Sequence, residues 1–357
     1  MTHHGLCHDP IQCIVPPYIT ERLTDSADPA ARSRAIANLK AAVAMRAMRE
    51  MTQARPSLMV SASPRATKHR LVYDSNQTDR LPGDLVRSEG DPKVTDVAVN
   101  EAYDFAGDTY DFYDQIFSRN SLDNKGMTLI SSVHVAETDG LGTFVPMSNA
   151  FWNGRQMAYG DGDGKIFQRF TRSLDVVGHE LTHGVQAFTS NLNYFGQSGA
   201  LNEHFSDVFG ILVRQWKKGE TALNASWVIG AEVMVLTPTR RGIRDMENPG
   251  TAFVNDPDIG TDPQPAHMSK LFTGLADRGG VHINSGIPNR AFVLTAKALG
   301  GNAWDVAGRI WFATLLQIPN SSQFLDCAKL TVQVAGGYGA AATKAVQAGW
   351  KQVGIAV

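Results

Sequence analysis

The segment DVVGHELTHGVQAFTS, residues 175–190, sets His179 and His183 one helical turn apart, with Glu180 directly after the first. At about 100° and 1.5 Å per residue, two such imidazoles lie roughly 40° apart around a helix and about 6 Å apart along it, so both face one way. Two neutral imidazole nitrogens can reach one zinc ion, and a catalytic zinc needs three protein ligands plus a position left for water. Glu180 would then stand beside the ion as a base, the His-Glu-x-x-His arrangement of metallohydrolases. Histidines at this spacing also occur as ordinary core or surface residues, so a third ligand has to decide. The segment GALNEHFSD supplies a candidate: Glu203 lies 20 residues beyond His183, and Asp207 follows it at i+4 on what reads as the same helix face. A second carboxylate beside the ligand carboxylate suits a zinc site, because it can orient a ligand histidine through that ring's other nitrogen.

These residues must be held by the elements around them. From about residue 172 onward helical periodicity dominates: SLDVVGHELTHGVQAFTS, GALNEHFSDVFGILVRQW and NAWDVAGRIWFATLLQ all read as helices. Between about 70 and 170 the pattern is short apolar runs broken by the turn signals LPGD, SEGDP, DNKG, NG and GDGDG. TLISSVHV and QMAYGDGDGKIFQRF read there as strands and a hairpin, and VTDVAVNEAYDFAGDTYDFYDQIF as a helix whose aromatic stripe is core. Ahead of this lies IVPPYI, then DPAARSRAIANLKAAVAMRAMREM, with Asp28 as N-cap, Pro29 at N1 and Ile36, Leu39 and Val43 at helical spacing. TQARPSLMVSASPRAT follows as an exposed linker of the kind proteases cut. The expected division is a leader of residues 1–60, a β-rich lobe of 66–190 ending in the histidine helix, and a helical lobe of 191–357.

The 357-residue chain is 43% hydrophobic, enough for a sizeable core, and its formal charge of -2 gives no reason to expect nucleic acid or an anionic membrane as partner. Charge is informative by region. Residues 29–70 carry nine Lys/Arg against the single acid Glu50, whereas residues 71–137 carry thirteen Asp/Glu against five Lys/Arg, so leader and lobe should attract. No run of apolar residues is long enough to span a membrane. Cys7, Cys13 and Cys327 cannot make a disulfide framework.

HELTH, then GALNEHFSD, then DRGGVHINSGI, together with NAFWNGRQMAYGDGDG, resemble the thermolysin family of neutral zinc endopeptidases over residues 70–357. The short leader with VPPYI resembles the propeptide of the protealysin-like branch. The resemblance implies an α+β, thermolysin-like fold with the zinc helix between a β-rich and a mainly helical lobe. It implies that His179, His183 and Glu203 bind one zinc ion and that Glu180 takes a proton from the attacking water and passes it to the leaving nitrogen. His282 and Tyr194 would donate to the developing oxyanion, with Asp277 fixing the tautomer of His282 and Asp207 that of His179. Asn149 and the backbone of Ala150 would pair with an extended peptide, and Arg244 would hold the carbonyl just beyond the scissile bond. Phe167, Phe170, Val176, Ile229, Val233 and Ile243 would line the main specificity pocket, which implies cleavage before bulky hydrophobic residues.

One departure from the family pattern concerns calcium. Asp175 matches an acidic calcium ligand, but Arg214, Ser226, Val228 and Ala231 fall where the other ligands would lie, so a double-calcium site is not expected and Arg214 is expected to pair with Asp175. GDGDG lacks the twelfth-position glutamate of a calcium loop and reads as a hairpin turn. MEN at 246–248 lies after the zinc helix and is set aside as an aminopeptidase motif. His69, His134, His204 and His267 have no partner at ligand spacing and read as structural, and His3, His4, Cys7, His8 and Cys13 as a disordered terminus.

The leader is expected to be an inhibitory propeptide whose PPY segment occupies or abuts the cleft, removed by autoprocessing between about Met51 and Lys68. Cys13 could cap the zinc in principle, although nothing in its spacing shows it. Peptides and proteins are the expected substrates. Family habit favours the extracellular space, while MTHHGLCHDPIQCIVPP lacks the apolar core of a secretory signal and leaves the cytoplasm as the alternative. The rival functions are a silent zinc scaffold, which would need neither Glu180 nor His282, and an aminopeptidase, which would not cut blocked internal peptides.

Overall fold

The structure, a computed structural model, describes residues 13–26, 28–29, 31–39, 67–138 and 142–357. Strands Arg70–Thr78 (β1), Asp84–Ser88 (β2), Leu129–Thr138 (β3), Phe144–Pro146 (β4), Ala150–Trp152 (β5) and Met157–Gly160 (β6) form a sheet in the order β2-β1-β3-β6-β5, with β4 on the far end of β3. The central pairs β1–β3 and β3–β6 are parallel, and the outer pairs β1–β2 and β5–β6 are antiparallel. The central strand β3 is buried at seven of its ten positions, among them the polar Ser131, Ser132 and Glu137. Helix Val97–Phe117 (α3) covers one face. Asp96 caps it through Oδ1, at 2.7 Å from the Ala98 N–H and 3.2 Å from that of Val99, and Tyr103, Phe112 and Tyr113 are buried as their helical spacing predicts.

The hairpin joins β5 to β6 through Asn153–Gln156, where Asn153 Oδ1 accepts from the N–H groups of Arg155 and Gln156, each at 3.0 Å. GDGDG, expected as the hairpin turn, instead ends β6. Asp161 turns to His134, and Asp163 Oδ1 accepts three successive backbone N–H groups, from Lys165 to Phe167, at 2.8–3.0 Å. The strand signal was sound, but aspartates can satisfy local backbone donors in several turn geometries.

Helix Leu174–Ala187 (α4) runs through the middle of the molecule with every residue from Leu174 to Gln186 buried, which is why its sequence is apolar on most sides. Helix Gly196–Lys218 (α5) packs closely on it. A Cβ on Gly210 would sit 2.4 Å from the carbonyl oxygen of Asp175, so only glycine lets α5 approach α4 this closely. Short strands Val228–Ile229 (β7) and Arg244–Asp245 (β8) pair beside them, and helices Ala276–Asn284 (α6), Gly286–Leu299 (α7), Val306–Leu315 (α8), Phe324–Ala335 (α9) and Ala340–Gln352 (α10) complete the second lobe. No helix among the described residues is long and apolar enough to cross a membrane.

The described part of the leader holds helix Pro17–Leu23 (α1), which starts with proline at N1, and a second helix, α2, whose described turns are 31–39. The expected buried stripe through Ile36 is not the one used. Ile36 is 40% exposed, and Ala35, Ala37 and Asn38 face inward, where Asn38 Oδ1 accepts from the Ser148 N–H at 3.0 Å. Small residues allow that close approach, whereas a stripe of larger apolar side chains would hold the helix off. The expected attraction between the basic segment 29–70 and the acidic segment 71–137 is formed where Lys68 meets Asp111 at 2.7 Å and Arg70 meets Glu89 at 2.5 Å. The ion pair joining Asp28 of the leader to Lys165 has the opposite sense. His3, His4, Cys7, His8, Val43 and the linker 51–66 lie outside the described residues.

Candidate active site

His179 and His183 project from α4 with their Nε2 atoms 3.1 Å apart, and Glu203 of α5 brings Oε2 to 3.5 Å from the first and Oε1 to 3.6 Å from the second. Zinc bonds of about 2.0–2.1 Å in a tetrahedron require donors separated by about 3.3–3.4 Å, which these three edges bracket. Glu203 Oε2 is buried without a hydrogen-bond partner, an arrangement that costs free energy unless a cation completes it. His179, Glu180 and His183 offer ligand-type atoms all within 4.8 Å of one another. The donor set therefore fits a zinc ion held by His179, His183 and Glu203.

Each ligand ring is oriented from behind. His179 Nδ1 lies 2.9 Å from Asp207 Oδ1, and His183 Nδ1 lies 2.9 Å from both Asn202 Oδ1 and Ser206 Oγ. Arg244 grips Asp207 with two donors, Nε to Oδ2 at 2.8 Å and Nη2 to Oδ1 at 2.7 Å. Burial alone would raise the Asp207 carboxyl, but Arg244 and His179 hold it far below the usual carboxylate range. Glu180 is fixed from the sheet side, its Oε2 accepting from the Trp152 N–H at 3.1 Å.

His282 reaches the cleft from α6 through an unusual turn. Asp277, Arg278, Gly279 and Gly280 are all left-handed, with φ of 51°, 51°, 81° and 79°. A Cβ on Gly280 would meet Phe272 at 2.7 Å, so this position requires glycine for space as well as for its backbone. The turn folds Asp277 back onto the helix it starts, where Oδ2 accepts the His282 N–H at 2.7 Å and Oδ1 lies 2.7 Å from His282 Nδ1. Burial would lower the His282 pKa, but the carboxylates of Asp277 and Glu203 outweigh it and hold the ring above its ordinary value. Tyr194 hydroxyl donates to Glu203 and stands 3.3 Å from His282 Nε2.

The cleft is filled by the chain's own residues 13–15. Cys13 bridges Phe151 of β5 in antiparallel fashion, the Ile14 N–H donates to the Ala150 carbonyl at 3.4 Å, and the Val15 N–H donates to Asn149 Oδ1 at 3.1 Å. The Cys13 carbonyl lies 3.2 Å from His282 Nε2, and the Ile14 carbonyl accepts from Arg244 Nη1 at 2.8 Å. To donate to Cys13 while its Nδ1 serves Asp277, His282 must be the imidazolium, in keeping with its raised pKa. Ile14 is wholly buried, and so are Phe167, Phe170, Val176, Ile229, Val233 and Ile243, all within the main apolar core.

The expected PPY segment thus abuts the cleft, since Pro16 and Pro17 begin α1 just beyond it. The Cys13 thiol packs with Val135, Met147, Phe151 and Ala158, and it is the backbone carbonyl of this residue that faces His282. Sequence reasoning did not single out Asn202, Trp152, Ile14 or Asn289. Asn202 adjoins Glu203 and carried a signal by position, whereas Ile14 and Trp152 act through backbone atoms, which residue type does not report.

Asp175 lies at the start of α4 with Oδ2 2.9 Å from Arg214 Nη1, and the same guanidinium donates to the Val228 carbonyl at 3.0 Å and to that of Ser226. The expected pairing is formed. His134 and His204 also have partners: Asp96 and Asp161 for the first, Asn289 and Trp311 for the second.

Comparison with known proteins agrees with this geometry. The family described as thermolysin metallopeptidase, catalytic domain, matches residues 51–187, and the thermolysin metallopeptidase alpha-helical domain matches residues 190–355. An extracellular metalloprotease of Pectobacterium carotovorum is 45% identical over 360 residues, covering 98% of this chain and 97% of the relative. Protease PrtS of Photorhabdus sp. is 49% identical over 296 residues, covering 82% of this chain and 77% of the relative. The solved precursor of protealysin, a metalloproteinase from Serratia proteamaculans, superposes with a TM-score of 0.86 at 43% identity over 97% of this chain and all of that one. With both lobes matched and the ligand cluster assembled, the chain belongs to the thermolysin family of zinc metallopeptidases.

Proposed function

We propose that the chain is the latent precursor of a secreted zinc endopeptidase that removes its own leader and cuts extended peptides before bulky hydrophobic residues. The observation that carries this reading is the register of residues 13–15. Their backbone meets Ala150, Asn149, Arg244 and His282 with the hydrogen bonds a substrate strand would make, and the Ile14 side chain is wholly buried. A leader seated in this way excludes any other peptide. Export is supported by the relatives named as extracellular proteases.

A bound zinc ion would polarise the scissile carbonyl and lower the pKa of water. The chain's residues supply the rest. Glu180, anchored to Trp152 of the strand that lies beside the peptide, takes a proton from the attacking water and returns it to the leaving nitrogen. His282, kept protonated by Asp277, donates to the carbonyl oxygen as it becomes an oxyanion, with Tyr194 close to the same point. Arg244 and the β5 edge hold the next residue in line. Asp175 is paired with the Arg214 guanidinium in place of a metal ion, so this part of the molecule needs no calcium.

The test is the full-length Glu180→Gln chain, expressed beside the unaltered one and supplied with zinc. An amide at this position cannot accept the proton, so the variant should bind zinc and stay full length while the unaltered chain shortens. Equal shortening of both would remove Glu180 from the mechanism. Cleavage of a peptide blocked at both ends separates an endopeptidase from an aminopeptidase.

A further inference from the structure

A single hydrogen-bonded path leads from the metal ligands into the C-terminal helices. Trp311 of α8 donates its indole N–H to His204 Nε2 at 2.8 Å, and His204 Nδ1 lies 2.8 Å from Asn289 Oδ1. Asn289 Nδ2 in turn lies 2.8 Å from Asp207 Oδ2, and Asp207 Oδ1 lies 2.9 Å from His179 Nδ1. His204, Asn289, Asp207, His179 and Trp311 are all fully buried.

The far end sets the direction of the whole path. An indole N–H can only donate, so His204 Nε2 must accept, and the neutral ring carries its proton on Nδ1. That proton goes to Asn289 Oδ1, which turns the amide nitrogen toward Asp207. The carboxylate accepts from Asn289 on one oxygen and from His179 on the other, and the lone pair of His179 is thereby left on Nε2, the atom that faces His183 and Glu203. Reversing any member would leave two donors or two acceptors in contact within a sealed core.

We infer that His204 and Asn289 are positioning residues for the zinc ligand His179, acting through Asp207. Arg244 already forks onto both oxygens of Asp207, and it shares Oδ1 with His179, so the guanidinium competes for the oxygen that orients the ligand ring. Asn289, reaching α5 between His204 and Asp207 one turn apart, adds a third donor that keeps Oδ1 directed at His179. Outer partners of this kind change metal affinity by about 10–100-fold when removed. The inference rests on His179 being a zinc ligand, but the orientation of His204 can be read without metal.

The experiment has two arms on the full-length chain. In the metal-free Glu180→Gln protein labelled with nitrogen-15 in its histidines, long-range nitrogen–proton correlation should show His204 as the neutral Nδ1–H form, with His204→Asn used to identify its signals. An Nε2–H ring would overturn the path. In the second arm zinc affinity is measured by competition with a chromogenic chelator. His204→Leu and Asn289→Leu should bind zinc about tenfold more weakly, with kcat reduced and KM little changed. His204→Asn, which keeps a donor toward Asn289, should recover zinc affinity to within about threefold. Wild-type zinc affinity in His204→Leu, or equal loss in His204→Asn, would reduce the residue to packing and overturn the inference. Failure of the unaltered chain to take up zinc would instead refute the metallopeptidase reading.

Discussion

Arg244 donates to the Ile14 carbonyl through Nη1 and to the Asp207 carboxylate through Nε and Nη2, so one guanidinium joins the peptide in the cleft to the residue that orients His179. A planar fork with donors on several edges can do this, and a point-charge ammonium cannot.

Arg244→Ala should therefore fail in two ways. The buried Asp207 loses its cation, at a cost of about 3–5 kcal/mol in denaturant unfolding, and the peptide loses its anchor. Arg244→Lys should keep most of the stability yet lower kcat/KM by about 100-fold, in line with a lost hydrogen bond to a charged group. Full activity in Arg244→Lys would show that the forked contact is dispensable.

Ile14 is wholly buried in the full-length chain. A carboxylate cannot be placed there without a desolvation cost of several kcal/mol. Ile14→Asp should accordingly raise the initial rate of the unprocessed chain on a blocked peptide by about 100-fold or more, and Ile14→Leu should leave it latent. Unchanged latency in Ile14→Asp would place inhibition elsewhere in the leader.

Asp175 depends on Arg214. Calcium added to the unaltered chain should place no ion beside Asp175, whatever it does elsewhere in the molecule. Arg214→Ala should lose about 3–5 kcal/mol through the orphaned carboxylate and recover part of it in millimolar calcium. A steep calcium dependence of the unaltered chain, with the ion found beside Asp175, would contradict this account.

His134 sits between Asp161 at 2.8 Å and Asp96 at 2.8 Å, and the Asp161 carboxylate is the main cause that holds its pKa at about 9. A pKa raised in the folded state stabilises it in full below the unfolded value of about 6.5, and that gain is lost as pH rises through the folded value. The contribution is at most about 3 kcal/mol, reduced by partial solvent screening. The melting temperature should fall between pH 7 and pH 10 more steeply in the unaltered chain than in His134→Gln. Parallel curves would show that other groups govern alkaline stability.

Much of the site was legible in the sequence because metal chemistry uses few residue types at spacings a helix dictates. His179, Glu180, His183 and Glu203 could be picked out without coordinates, as could the match of Arg214 to Asp175, since charge complementarity survives in one-letter code. The course of GDGDG was not legible. Aspartate–glycine pairs serve several turns, and the choice between them rests on whether His134 is near enough to claim Asp161. The buried face of α2 was not legible either, because the leader helix is packed by its small residues.

The sequence by itself determined the candidate ligands, the candidate base and the order of the two lobes, all set by side-chain chemistry and by periodicity along one segment. Only the tertiary structure decided which peptide lies in the cleft, since Cys13 and Ile14 engage His282 and Arg244 through backbone carbonyls that every residue possesses. It likewise decided that His204 belongs to the path behind His179, because Asn289 and Trp311, 85 and 107 residues away in the chain, reach it only once α7 and α8 pack on α5.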